Sequence, residues 1–94
     1  MIKVKFLNMD GFNVPTIIDP VSGCHIPLYP EGHPYPAHWS WNGDVNKPTF
    51  KPSVRIDSLG THFIITDGKI QFLEDCTHHL KGQTVDMIDI EQEE

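Results

Sequence analysis

The chain is short of most features that would place it in a special class. No apolar run approaches the roughly 18 residues of a membrane-spanning helix. In the opening MIKVKFLNMD, acidic Asp10 stands where a signal peptide needs an apolar stretch, so a cytoplasmic protein without a membrane partner is expected. Basic residues are few and scattered: Lys3, Lys5, Lys47, Lys51, Arg55, Lys69 and Lys81. Nucleic-acid affinity rests on clustered Lys and Arg, so nucleic acid is not an expected partner. No window of helical periodicity is long enough to rely on. The length of 94 residues excludes a two-domain or many-layered enzyme, because a chain this small hides only about 60–65% of its unfolded surface.

What is present is unevenly distributed. The formal charge of −6 comes from seven basic and thirteen acidic residues, but five of the acids (Asp86, Asp89, Glu91, Glu93, Glu94) lie in the last nine positions. The body is nearly neutral, and an acidic tail starts at about 86. All eight prolines fall between Pro15 and Pro52. The six histidines divide into His25, His33 and His38 before that boundary and His62, His78 and His79 after it, with one cysteine, Cys24 or Cys76, on each side.

Residues 2–7 alternate apolar and basic, as a strand does, and 13–18 read as a second, edge-like strand because Pro15 cannot donate to a ladder. From Asp19 to Pro36 the turn formers are too dense for regular structure, and a long ordered loop is expected. In 49–56 the apolar set Phe50, Pro52, Val54 and Ile56 alternates with Thr49, Lys51, Ser53 and Arg55, the period of a half-buried strand. Residues 61–66 and 69–74 flank Asp67-Gly68, whose chemistry suits a two-residue type I′ hairpin turn. That turn pairs Thr66 with Lys69, Ile64 with Gln71 and His62 with Leu73. Closing the preceding hairpin through 57–60 sets Ile56 opposite Thr61, Arg55 opposite His62 and Val54 opposite Phe63. One face then carries Phe50, Val54, Ile56, Phe63, Ile65, Ile70 and Phe72, the expected core. The other carries Ser53, Arg55, His62, Ile64, Gln71, Leu73 and Asp75. A last short strand is expected over 83–90. The predicted fold is all-β, a small antiparallel meander or open barrel with a long Pro-rich loop, in a single domain.

The same register sets Ser53 and Asp75 diagonally on either side of His62, and diagonal neighbours on one face lie roughly 7–8 Å apart at their backbones. Side chains can close that gap. The roles would be Ser53 as nucleophile, His62 as base and then acid, and Asp75 as the group that orients the imidazole. Oxyanion donors are the difficulty, since paired strand amides point into the ladder, and the Gly43 or Gly60 turns are candidates to supply them. The plain alternative is a half-exposed histidine packed beside Leu73. A second constellation is a zinc site from Cys24, Cys76 and His78, with His25 or His62 as a fourth ligand, which would stabilise a small core. Its spacing matches no familiar module. Two free thiols, or a Cys24–Cys76 disulfide in an oxidising compartment, are the other readings. The third is aromatic: Trp39 and Trp41 share a strand face beside His33-Pro34-Tyr35-Pro36, as sheet-covering packing or as a peptide-binding groove.

The set Trp41-Asn42-Gly43-Asp44, Pro48-Thr49-x-x-Pro52-Ser53, His62, Asp67-Gly68-Lys69-Ile70 and Asp75-Cys76-Thr77-His78-x-Leu80-x-Gly82-Gln83 resembles a family of small phage and bacterial proteins. Some of its members bear the name ammonia monooxygenase, although nothing in these residues suggests a copper oxygenase. Its more distant relatives occur in bacterial operons encoding ubiquitin-like proteins with their activating and conjugating enzymes, and look like serine peptidases that remove ubiquitin-like adducts. The resemblance implies catalytic roles for Ser53 and His62; Asp75 as third member comes from the strand register alone. Those relatives carry a cysteine-rich cluster of which only Cys24 has a counterpart here, and a cysteine before the histidine where this chain has Leu59, Gly60 and Thr61. The expected activity is a small serine-type hydrolase acting on ubiquitin-like or other peptide or ester linkages of protein or peptide substrates, with either no cofactor or a zinc ion. The alternatives are a binding module, zinc-stabilised or not, that a phage uses on a host protein, and a structural phage component.

Overall fold

The computed structural model describes residues 2–90. They form eight strands: β1 (Lys5–Met9), β2 (Phe12–Ile18), β3 (His25–Pro27), β4 (Ser40–Trp41), β5 (Phe50–Ile56), β6 (Thr61–Thr66), β7 (Lys69–Phe72) and β8 (Thr84–Asp86). There is no α-helix among the described residues, only one 3₁₀ turn at Asp57–Leu59. The strands make two antiparallel sheets, a three-stranded one in the order β1-β2-β3 and a five-stranded one in the order β4-β5-β6-β7-β8, not closed into a barrel. Both sheets feed one apolar cluster: Val4, Ile17, Ile26 and Leu28 meet Phe50, Val54, Phe63, Ile65, Ile70 and Phe72.

The large sheet follows the sequence arithmetic closely. Asp67 and Gly68 both take positive φ, 49° and 77°, as a type I′ turn requires, and the ladder runs Thr66↔Lys69, Ile65↔Ile70, Ile64↔Gln71 and Phe63↔Phe72. Across β5 and β6 the pairs are Ile56↔Thr61, Arg55↔His62 and Val54↔Phe63. Of the seven residues expected on the core face, six are buried and Ile56 is partly so. The register then shifts, so that Phe50 pairs with Ile65. The irregularity spans Pro52, whose peptide bond with Lys51 is cis; a bulge is where a sheet tolerates a residue without an N–H.

Three elements differ from expectation. Asp10 and Gly11, at φ 56° and 82°, form a second two-residue turn, so the first strand is displaced to Lys5–Met9 and pairs back on β2. Strand β2 is central, not an edge, because the Pro-rich segment contains the short strand β3. Pro15 is tolerated there since its missing donor falls where the β2–β3 ladder ends, with only its carbonyl used, by the Leu28 N–H at 2.8 Å. The buried Asp19 builds the turn between them, its carboxylate accepting from the N–H groups of Val21 and Ser22 and from the Ser22 hydroxyl. At the far end, β8 is three residues long. Asp86 and Asp89 of the acidic tail pair with Lys69 and Lys3, while 91–94 lie outside the described residues.

Candidate active site

His62 stands in the middle of the five-stranded sheet on the face away from the core, partly buried. Its neighbours on that face are those the pairing requires. Ser53 lies on β5 two residues before Arg55, the partner of His62, and Asp75 lies two residues beyond Leu73, whose N–H donates to the His62 carbonyl at 2.9 Å. The side chains close the gap: His62 Nε2 is 3.1 Å from Ser53 Oγ, and Nδ1 is 3.0 Å from Asp75 Oδ2 and 3.2 Å from Oδ1. With Nδ1–H donating to the carboxylate, Nε2 is left as the acceptor of the serine proton, the tautomer a general base needs. The hydrogen bond from His62 holds the Asp75 carboxyl below its ordinary value of 3.8, and the charge of Arg55 acts in the same direction. Asp75 is therefore a carboxylate throughout the neutral range.

Two further contacts were not read from the sequence. Cys76, 4% exposed, clamps the His62 backbone: its Sγ accepts from the His62 N–H at 3.3 Å and donates to the His62 carbonyl at 3.2 Å. The thiol thus substitutes for a strand partner just where β7 ends and the chain turns through 73–76. On the other side, the Trp39 indole N–H donates to the Ser53 carbonyl at 3.2 Å. The visible signal for the first was only the adjacency of Cys76 to Asp75. The second depends on how the 28–39 segment folds back, which periodicity cannot reach.

The structure does not bring together Cys24, Cys76 and His78. Cys24 is exposed at the end of the Asp19 turn, Cys76 is engaged with the His62 backbone, and His78 Nε2 bonds the Thr61 hydroxyl at 3.1 Å. His25 is beside Lys5, its Nδ1 2.7 Å from Nζ, and His62 is taken up by Ser53 and Asp75. Among the described residues no group of three or more His, Cys, Asp or Glu side chains could hold a metal ion. Both thiols are free. Of the suggested oxyanion donors, the Gly60 N–H is consumed by the Asp57 carbonyl at 3.0 Å.

A cleft of about 700 Å³ opens beside Ser53, walled by Ile26 of β3, Tyr29, Tyr35 and Trp39, and on the other side by residues 52–56 of β5. Trp41 lies outside it and stacks on Phe50, rings 4° from parallel, as sheet-covering packing.

A hydroxyl, an imidazole and a carboxylate hydrogen-bonded in that order have the donor–acceptor sequence of serine hydrolases. A family model described as "Bacterial ubiquitination-like system serine protease (BubE)" matches residues 21–73, 53 of the 94, and the chain belongs to this family. The match takes in much of the Pro-rich segment together with Ser53 and His62 and ends before Asp75. Its description concerns a bacterial system and lends nothing to a phage origin. No curated protein and no solved structure matches the chain.

Proposed function

We propose that this protein is a serine peptidase that cleaves the bond joining the C-terminus of a ubiquitin-like protein to its attached partner, with Ser53 as nucleophile, His62 as general base and acid, and Asp75 as the residue that orients His62. The observation that carries this reading is the continuous hydrogen-bonded order Ser53 Oγ, His62 Nε2, His62 Nδ1, Asp75 carboxylate. Family membership supports the reaction type and the substrate class.

In the acylation step Ser53 Oγ attacks the scissile carbonyl carbon while its proton passes to His62 Nε2. The carbonyl oxygen becomes an oxyanion, and the imidazolium is stabilised by the Asp75 carboxylate 3.0 Å from Nδ1. As the C–N bond breaks, the proton on Nε2 goes to the leaving amine and an acyl ester on Ser53 remains. Water attacks that ester with His62 again as base, releasing the carboxylate and restoring the Ser53 hydroxyl.

The test is cleavage of a ubiquitin-like protein of the system carrying a C-terminal fusion partner. The wild-type chain releases the partner. Ser53→Ala and His62→Ala each lower the rate by at least about 10³-fold while melting stays within a few degrees of wild type. An unchanged rate in either folded variant overturns the assignment.

A further inference from the structure

The cleft beside Ser53 is walled by five consecutive β5 residues, 52–56, of which Pro52 has no N–H to offer. Consecutive side chains of a strand point to opposite faces, so a groove that touches all five runs along the strand's edge and not over one face of the sheet. Beyond Lys51 no strand pairs with that edge, and the Trp39 indole caps it at the Ser53 carbonyl. Strand β4 pairs with β5 only through Ser40↔Lys51 and Trp41↔Phe50. At Trp39 the chain leaves the sheet, its N–H donating to the Tyr29 carbonyl at 2.8 Å.

The ladder on the opposite side fixes which groups this edge presents. The His62 N–H goes to Cys76 Sγ and its carbonyl receives the Leu73 N–H, so both point toward β7. Arg55, directly across from His62, is then in a non-hydrogen-bonded pair. Its own N–H and C=O face away from β6, into the cleft. Ser53, two residues earlier, presents its backbone to the same side, its carbonyl held by the Trp39 indole. The opposing wall of Ile26, Tyr29 and Tyr35 is apolar and aromatic.

We infer that the open edge of β5 binds the substrate as an added β-strand: an extended polypeptide segment exchanges backbone hydrogen bonds with Arg55 N–H and C=O, lays an apolar side chain against Tyr29 and Tyr35, and so brings its scissile carbonyl to Ser53 Oγ. The inference rests on Ser53 being the nucleophile and adds how the substrate is held. Strand addition draws affinity from main-chain bonds and selectivity from alternate side chains. It commits the protein to unfolded, extended substrate segments, such as a protruding C-terminal tail, and against helical or turn-forming ones.

The experiment compares the second-order rates at which Ser53 is modified by three probes: a small alkyl fluorophosphonate, a tetrapeptidyl phosphonate with leucine and alanine side chains, and the same tetrapeptide N-methylated at one backbone amide at a time. The peptidyl probe is expected to gain at least about tenfold when leucine occupies the cleft position. N-methylation at the residue opposite Arg55 is expected to remove about tenfold, the loss of one edge hydrogen bond plus the steric block, with methylation at the alternate, outward-facing amide neutral. In the peptidyl adduct the Arg55 amide exchanges with deuterium more slowly than in the free protein. If the fluorophosphonate labels Ser53 but every N-methylated peptide reacts as fast as its parent, strand addition is wrong and the nucleophile assignment stands. If no probe labels Ser53, the nucleophile assignment fails and the inference with it.

Discussion

His62 is held from three directions: Ser53 on Nε2, Asp75 on Nδ1 and the Cys76 thiol on its backbone. Asp75 is exposed, so its contribution is orientation and charge in partly solvated surroundings. Asp75→Asn keeps the shape but reverses the hydrogen-bond preference at Nδ1, and a fall in kcat of at least about 10²-fold with little change in KM is expected from steady-state kinetics. Because the folded carboxyl titrates below 3.8, the stability it contributes is present above that value and is lost as pH falls through its lower folded value. Carboxyl NMR of the wild type should show this depressed titration, and acid unfolding of Asp75→Asn should be less steep below that pH. Cys76 acts through the His62 backbone and not on substrate. Cys76→Ala is expected to lower kcat about tenfold at constant KM, and Cys76→Ser, which keeps a donor and an acceptor, to restore most of it. Equal losses in both variants, or a change in KM alone, would contradict a positioning role. At this scale, residue type and strand register made Ser53, His62 and Asp75 legible. The use of a thiol in place of a ladder partner was not, since nothing in a cysteine's spacing tells a hydrogen-bonded thiol from a metal ligand.

Among the elements, the turns decide whether the register holds. The Asp67-Gly68 turn and the 57–60 turn fix β6 between its neighbours; the first was readable because its chemistry permits few geometries, whereas the second was reached only by taking the simplest closure, which the register matches. Gly60 adds a second constraint. Its φ is 63°, and a Cβ there would collide with Thr77 Oγ1, in the segment just after Asp75 and Cys76. Thr77 N–H donates to the Gly60 carbonyl at 2.9 Å, tying that segment to the start of β6. Gly60→Ala is expected to destabilise the fold by about 1–3 kcal/mol in urea unfolding and to depress hydrolysis by displacing Asp75. Gly43→Ala has a similar φ of 84° with nothing within 4 Å, so it should cost backbone strain without the loss of activity. The β4–β5 region was the least legible element. Period-2 alternation continues through Pro52 and hides the register shift, and the departure of the chain at Trp39 depends on a contact with Tyr29 ten positions back.

For the molecule as a whole, a small β domain must be stabilised from somewhere. The packing of Ile17 on β2, with Val4 and Leu28 flanking β1 and β3, against Phe50, Phe63 and Phe72 of the larger sheet supplies an apolar core, and both cysteines are free thiols. Phe63→Ala, at a fully buried position, should cost about 3–5 kcal/mol. Because Cys24, Cys76 and His78 do not converge, adding a strong chelator should leave the melting temperature unchanged, whereas a drop would mean that these donors meet in solution. The two-sheet organisation was only partly visible in the sequence. Alternation identified the large sheet and its buried face, but β3 is three residues inside a turn-rich stretch, too short for periodicity to register. The proposed chemistry turns on one oxygen atom, Ser53 Oγ. Its reactivity is measured by mass spectrometry of the intact protein after treatment with a fluorophosphonate, combined with peptide mapping. A single adduct on Ser53 that disappears in His62→Ala is the predicted result, and an adduct on another residue, or one on Ser53 that forms equally fast without His62, would contradict it.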